Sequence, residues 1–486
     1  MNNKKNFISA LLYQLIHIIY GLVVPRIILL YFGSDINGLI SSITQFLSFI
    51  SLLEGGLGAV VLAELYVPIE QNDQQTIKRI LVSSRCLFNK ISLFYVLYTI
   101  LLGGLYTFLE NGVYTPCFVV TLTFVLSLNT LTEYLLSITY RLFLQANQKI
   151  YITNYIGIGV LIVNIAVTVF SVKVYPEIRV LKALSSVAFF IQPFLFKIFV
   201  PIKFHKISTD VIEKYDLKNR WSGFAQNLAH FINMNTDIIL ITFFCSYSEV
   251  SVYTVYMLVV NALRMIISTV ANSFQGALGK YIAQRDENAL QKNFYKFSNQ
   301  ISSVSVVLFC TCLLLINPFV SIYTSNVNDT DYYRPIFAMV IIIANIIYCI
   351  REPFRLLILA AGKFKETNFG AIIESLLNVI ISIWLIRRLG LTGVAIGTFV
   401  AIFYRMIYFV IFLRKSVLML NIRQYVISIV PVVIVLGCNL LIYRIINFHI
   451  DSIWSFCMFG MVITSCECGI IFLLNYVVSK FILKMK

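Results

Sequence analysis

Of the chain's 486 residues 59% are hydrophobic and only 12% are charged, a composition that excludes a soluble globular domain. The formal charge of +16 comes from 38 Lys and Arg against 22 Asp and Glu. It gathers at the ends of apolar runs, so it is a topology signal and an attraction to anionic headgroups rather than a nucleic-acid footprint.

Each apolar run is long enough to cross roughly 30 Å of hydrocarbon, and together they predict an all-α integral membrane protein with about 14 transmembrane helices. In chain order the spans fall at 7–32, 36–62, 80–108, 113–140, 151–173, 178–200, 221–245, 249–275, 294–317, 332–354, 367–387, 390–413, 423–446 and 452–479. Lys4 and Lys5 lead directly into the first full-length span with no small-residue cleavage site, so no removable signal peptide is expected. An even number of spans puts both termini on one side. Lys4, Lys78, Arg79, Lys149, Lys280, Arg285, Lys292, Lys363, Arg414, Lys415 and Lys484 all fall on that side, which the positive-inside rule makes cytoplasmic.

The segment RLFLQANQKIYITNYIGIGVLIVNI at 141–165 returns without a gap as RLLILAAGKFKETNFGAIIESLLNV at 355–379. Arg141/Arg355, Leu142/Leu356, Ala146/Ala360, Lys149/Lys363, Thr153/Thr367, Asn154/Asn368 and Asn164/Asn378 coincide, which predicts a duplicated architecture. Six spans separate equivalent positions, so the two six-helix halves are expected to be related by a pseudo-two-fold axis along the membrane normal. The expected division is 1–202, a linker at 203–220, 221–416, and two additional helices at 417–486. The linker, with Ile207, Val211, Ile212 and Tyr215 at helical spacing among lysines, reads either as an interfacial amphipathic helix or as a solvated connection. The matched residues Arg141, Arg355, Lys149 and Lys363 read as interface anchors of a scaffold.

Polar residues inside the spans form stripes. In the seventh span Gln226, His230, Asn233 and Asp237 share one helical face, and in the eighth so do Asn261, Arg264, Ser268, Asn272 and Gln275. Weaker counterparts are Gln14, His17, Gly21 and Pro25 in the first span and Asn37, Ser41, Gln45 and Ser48 in the second. Pro25 occupies the position equivalent to Asp237, and Arg26 lies one residue beyond it, to be turned inward only by a kink. An Arg or Asp at a span centre costs roughly 2.5–3.5 kcal/mol on insertion, so these stripes are expected to line a central cavity. The alternative for the neutral residues is interhelical hydrogen bonding. Arg264 requires a partner or a charged ligand, and Asp237 is the candidate partner. His17 and His230 read as hydrogen-bonded residues or proton carriers, and Glu54, Glu133, Glu374 and Glu467 as candidate ion-coupling carboxylates. The ten cysteines, including the C-x-C pairs Cys310/Cys312 and Cys466/Cys468, lack the partners a metal site requires and read as packing residues. No metal or cofactor is expected, and no P-loop is present for ATP hydrolysis.

VVPRIILLYFGSDINGLISSITQFLSFISLLEGGLG near the N-terminus, ELYVPIEQNDQQTIKRI after it and RRLGLTGVAIGTFVA late in the core resemble the multidrug/oligosaccharidyl-lipid/polysaccharide exporter superfamily, and within it the Wzx-type polysaccharide repeat-unit flippases. The resemblance covers about residues 5–480. It implies a bacterial cell-membrane protein that moves an undecaprenyl-pyrophosphate-linked oligosaccharide from the cytoplasmic to the outer leaflet by alternating access, for capsule, O-antigen or exopolysaccharide synthesis. Coupling to a Na+ or H+ gradient or to the membrane potential is implied too, with a polysaccharide polymerase and a chain-length regulator as candidate partners. By the same analogy Arg26 and Arg264 face the pyrophosphate, and Gln14, Asn233, Asn261 and Gln275 face sugar. The competing readings are a multidrug–cation antiporter of the same superfamily and, from a different class, a membrane polysaccharide polymerase. The latter generally needs a large external loop, and the longest expected here, about 318–331, is short.

Overall fold

The computed structural model describes residues 2–109, 113–203, 215, 224–284, 286–363, 365–416, 422–445, 450 and 452–484. Among them the chain is helical apart from short connections, with no strand. The helices are α1 (Asn2–Leu47), α2 (Ser51–Glu70), α3 (Gln74–Leu109), α4 (Pro116–Thr132), α5 (Ile138–Ala146), α6 (Ile150–Val174) and α7 (Ile178–Lys203), then α8 (Phe224–Phe244), α9 (Tyr247–Asn272), α10 (Gln275–Ala283), α11 (Glu287–Tyr323), α12 (Pro335–Ile350), α13 (Glu352–Ala360), α14 (Asn368–Leu389), α15 (Leu391–Ser416), α16 (Ile422–Ile445) and α17 (Ile453–Lys484). They form two compact units, Met1–Phe231 and Ile232–Lys486.

Twelve helical stretches among the described residues are long and apolar enough to cross a membrane. The first, Lys4–Ile50, contains the first expected span and the beginning of the second, which continues into α2; the two are divided at Gly33, whose φ of 81° and ψ of 176° interrupt α1. A side chain resists that left-handed backbone, so glycine sets the break. The shorter apolar stretch Asn235–Phe244 of α8 falls in the expected seventh span. Large apolar side chains face outward along the helices, among them Phe170, Trp384, Trp454 and Phe472, as a lipid solvent requires. The protein is a multi-pass membrane protein.

Local chemistry sets the helix ends. Asp73 accepts from the Gln75 and Thr76 amides at 3.1 and 3.0 Å, Asp286 caps α11 through the Ala289 amide at 2.9 Å, and Pro116 and Pro335 open α4 and α12. The duplicated segment is one motif built twice. In the first copy Gln148 has φ 55° and the Lys149 amide donates to the Leu144 carbonyl at 2.9 Å; in the second Gly362 has φ 68° and the Lys363 amide donates to the Ile358 carbonyl at 3.1 Å. Both are Schellman-type helix ends, with the left-handed residue at the same aligned position.

Three of the matched basic residues make contacts within their own units. Arg141 joins an ion cluster described below, Arg355 pairs with Glu352 at 2.5 Å, and Lys363 donates to the carbonyl of Ser416 at 2.8 Å, where it closes α15. Opposite charges and orphan carbonyls lie within their reach. Only Tyr215 of the inter-half linker is well described; the rest of that segment, apart from Lys203 at the end of α7, lies outside the described residues. Tyr215 donates its amide to Ser83 Oγ and its hydroxyl to Glu64 Oε2, both at 2.7 Å, and the second bond raises the phenol's pKa above its ordinary value.

In the second unit α14 and α15 meet backbone to backbone. A Cβ at Gly393 would lie 2.6 Å from the Leu385 carbonyl, and Gly397 sits against Ser382 in the same way. Gly393→Val is therefore expected to cost about 1–3 kcal/mol or more through overpacking. Gly437→Ala, whose Cβ meets nothing within 4 Å, is expected to be neutral or to stabilise by up to about 1 kcal/mol. Thermal unfolding of the detergent-purified variants checks this contrast, and equal midpoints would contradict it. Helices α16 and α17 pack on each other and on α11.

Candidate functional site

The close approach of α14 to α15 creates the site in the second unit. It brings Thr398 of α15 opposite Asn378 of α14, and both against Asp237 of α8. Thr398 Oγ1 lies 3.0 Å from each carboxylate oxygen of Asp237 and 3.4 Å from Asn378 Oδ1. Tyr253 of α9 donates to Asp237 Oδ2 at 2.9 Å, and Ser382 donates to Asn378 Oδ1 at 3.1 Å. Asp237 is only 5% exposed. Its carboxylate borders a cavity of about 30 Å³ that Arg264, Asn345 and Tyr348 also line. Such a volume holds a small ion or a water. Asn345 donates to the Ile341 carbonyl at 2.7 Å, but its Oδ1 is buried with no hydrogen-bond partner among the described residues. Oxygen donors therefore dominate the acidic side of the cavity, a set suited to a hard cation.

Opposite them a second array carries positive charge. The Arg264 guanidinium lies 3.9 Å from the centroid of the Tyr348 ring, and Arg351 stacks on the same ring at 4.5 Å. Arg351 donates to Glu374 Oε1 at 2.5 Å, and Arg405 Nε reaches Glu374 Oε2 at 3.4 Å. Arg405 also donates to the Thr367 carbonyl at 3.0 Å and stacks over Phe409 at 4.4 Å. Arg351, Glu374 and Arg405 are all buried. Arg405 thus pairs inside the unit, and Glu374 is engaged by two guanidinium groups. Tyr348 links the array to Arg264, whose planar cation is held at the cavity by ring stacking.

The first unit has a different charged cluster. Arg141 donates to Glu133 Oε1 at 2.5 Å and also to Glu54, while the Tyr134 hydroxyl donates to Glu54 Oε2 at 3.0 Å. Glu133 opens a π-helical turn, Glu133–Ser137, between α4 and α5. Such turns widen a helix by one residue and here aim Glu133 at Arg141. Elsewhere in the unit Arg26, Gln45 and Gln14 are half-buried, with Gln14 Nε2 buried and lacking a hydrogen-bond partner among the described residues. His17 is exposed, 5.9 Å ring to ring from Tyr13. Asn37 is buried and its carbonyl accepts from Ser41 at 2.8 Å; the Gln45 carbonyl accepts from Ser48 at 2.6 Å.

Of the seventh-span stripe the structure places Asp237; the side chains of Gln226, His230 and Asn233 lie outside the described residues. Along α9, Arg264 is half-buried at the cavity, whereas Asn261 and Asn272 are exposed. Gln275 lies beyond a short turn. Helix α9 ends at Asn272, Ser273 Oγ donates to the Val270 carbonyl at 2.7 Å, and Gln275, exposed, starts helix α10 within the same apolar stretch, Tyr247–Ile282. Sequence reasoning missed Tyr253, Asn345, Tyr348 and Arg351, which carry no periodic signal. Two signals were available: Asn378 belongs to the repeated segment, and Thr398 lies in RRLGLTGVAIGTFVA.

No protein-family model matches the chain, and no curated relative matches it. Solved structures do. Their class is that of multi-helix membrane transporters and flippases: the chain shares the fold of the superfamily to which the multidrug-resistance MATE transporters belong. The lipid II flippase MurJ, in an inward closed conformation, superposes with a TM-score of 0.70 at 17% identity over 96% of this chain and 98% of that one. The MATE multidrug transporter DinF-BH, solved as a complex, gives 0.61 at 14% identity over 85% and 95%, and the eukaryotic MATE transporter AtDTX14 gives 0.59 at 12% over 96% and 99%.

Proposed function

We propose that this chain is a flippase that translocates an undecaprenyl-pyrophosphate-linked oligosaccharide across the cell membrane from the cytoplasmic to the outer leaflet, by alternating access. The observation that carries the proposal is Arg264, a guanidinium held within a span on the Tyr348 ring; the cavity of about 30 Å³ beside it admits only a small ion as it stands and has to open for a cargo headgroup, as alternating access provides. A fixed planar cation inside the membrane suits a pyrophosphate, which it can contact in bidentate fashion. Likeness of fold to a lipid II flippase supports the same reading. Arg26 is the corresponding candidate in the first unit, and Gln14 and Asn261 are candidates for sugar hydroxyls. The carrier's apolar tail stays in the bilayer, so the protein has only to shelter the polar head.

The coupling ion is proposed to be a cation, Na+ or H+, bound at Asp237 with Thr398, Tyr253 and Asn378 around it. Asp237 and Arg264 line one cavity, so a cation at the carboxylate weakens its hold on the guanidinium and frees Arg264 for an anionic cargo. The second reading is a multidrug–cation antiporter. The buried carboxylate favours it, as does the fold shared with a MATE multidrug transporter. Arg264 in the same cavity opposes it, because a cationic drug would meet a like charge.

The test is deletion in the native host followed by a leaflet assay of the lipid-linked repeat unit. Accumulation in the inner leaflet is expected, restored by the wild-type chain. Arg264→Ala, at equal protein level, is expected to lower delivery about tenfold or more, the loss of a charge-assisted contact of about 1.5–3 kcal/mol. Arg264→Lys keeps the charge but not the fork or the stacking, and falls between. Normal delivery without the chain, or dye resistance that disappears instead, would favour the antiporter.

A further inference from the structure

A stripe along one face of α11, with Phe297 and Val307 buried beneath exposed neighbours, points to a second ligand. Asn293, Lys296, Phe297, Gln300, Ser303, Val304, Val307 and Leu308 recur at three- and four-residue intervals along one face of that helix. Two hollows cover the stripe end to end. The first, of about 280 Å³, is closed by Phe274, Leu278 and Tyr281 from α10 and its approach, and carries Lys296 at its edge. Its floor is the Phe274–Phe297 stack, 4.5 Å between centroids. The second, of about 380 Å³, is closed by Thr464, Ile471, Phe472 and Asn475 of α17. Gln300 lines both.

The two hollows differ in chemistry. The first sets the amide of Asn293, the phenol of Tyr281 and the ammonium of Lys296 against a wall of Phe274, Ala277, Leu278 and Phe297, and Lys280 and Lys292 are exposed on the same two helices. The second is apolar along Val304, Val307, Leu308, Ile471 and Phe472, with a polar threshold where Asn475 donates to Ser303 Oγ at 2.9 Å and Asn299 Oδ1 is buried without a hydrogen-bond partner among the described residues. From Lys296 to Leu308 the helix rises about 18 Å at 1.5 Å per residue, comparable to the roughly 15 Å depth of one leaflet.

We propose that the α10–α11–α17 cleft binds one anionic phospholipid of the leaflet at the lysine-bearing end, its phosphate at Lys296 and one acyl chain along Val304–Leu308. Charge complementarity fixes the headgroup: the basic end selects an anion, and the amides of Asn293 and Gln300 reach the glycerol or ester oxygens just below it. Gradation from charge through amide to hydrocarbon within a single stripe matches an amphiphile and matches neither a free anion nor an apolar helix. The site lies outside the Asp237–Arg264 cavity and does not depend on the transport proposal. A lipid seated there ties α17 to the core through both of its faces.

Native mass spectrometry of the full-length chain titrated with phosphatidylglycerol or phosphatidylcholine tests this. The wild-type protein is expected to retain phosphatidylglycerol about fivefold over phosphatidylcholine, the preference one surface lysine supplies. Lys296→Glu is expected to bring that ratio to about one or below. Val304→Trp, at an exposed groove position where folding tolerates bulk, is expected to reduce retention of both lipids by severalfold while the protein remains monodisperse. An unselective wild type, or a ratio indifferent to Lys296→Glu, overturns the proposal. So does displacement by inorganic phosphate, which would mean a free-anion site, or by an equal amount of undecaprenyl phosphate, which would mean a carrier-lipid site.

Discussion

Glu374→Ala is expected to be the most destabilising single substitution in the second unit. The carboxylate neutralises two buried guanidinium groups, from Arg351 at 2.5 Å and Arg405 at 3.4 Å, and is itself 5% exposed. Removing it leaves two like charges in a low-dielectric interior, and breaking a buried pair in this way costs about 3–5 kcal/mol. Little folded protein should be recovered, measured as the monodisperse fraction after detergent extraction and its thermal midpoint. The triple variant Arg351→Met, Glu374→Leu, Arg405→Met should recover much of that loss, because an apolar replacement of the whole array removes the desolvation cost along with the attraction. Its transport should still fall, since Tyr348 would then hold Arg264 without the neighbouring charge that shares the ring. A Glu374→Ala protein as stable as the wild type would show that the array contributes nothing to the fold.

The second large effect lies at Asp237. Asp237→Asn keeps the shape of the side chain and one acceptor oxygen but turns the other into an amide donor, which the Thr398 hydroxyl can accept, and removes the charge, so folding should persist while cation coupling disappears. The comparison with Thr398→Val separates the two candidate ions. A proton needs only the carboxylate, whereas Na+ needs the ring of oxygens, of which Thr398 Oγ1 at 3.0 Å is a member. If Na+ is the ion, Thr398→Val should abolish sodium-dependent transport nearly as fully as Asp237→Asn. It should also remove the sodium-induced rise in thermal stability, about 2.7 kcal/mol when the ion is at a hundred times its dissociation constant. If H+ is the ion, Thr398→Val should retain pH-driven transport. Wild-type transport in Asp237→Asn would sink the coupling role altogether.

What the sequence made legible was whatever has a period. The long apolar runs, the matched repeat and the two stripes that bring Asp237 and Arg264 to one cavity all follow from helical spacing or self-similarity. The Schellman turn was foreshadowed too, since Gly362 marks in one copy the left-handed position that Gln148 fills in the other. Proximity between distant segments was hidden. Glu374 lies in a helix whose own sequence offers no cation to pair with it nearby; Arg351 and Arg405 come from flanking elements across a turn of chain. The route from α14 to α15 was equally invisible, because a glycine at 393 looks the same in a loose span as in one where its backbone touches Leu385.

Pro25 stands in the first repeat where Asp237 stands in the second, and under the proposed coupling that asymmetry sets a stoichiometric ceiling. A duplicated scaffold could carry two ion sites of this kind; this one has the carboxylate in a single copy. One monovalent cation per turnover then passes through the Asp237 site, bringing about 2.3 kcal/mol of electrical work for each 100 mV across the membrane. At about 1.4 kcal/mol per factor of ten, that corresponds to a roughly fiftyfold bias in the distribution of cargo between the leaflets. An acid in both copies would square the bias and double the ions spent on every repeat unit delivered.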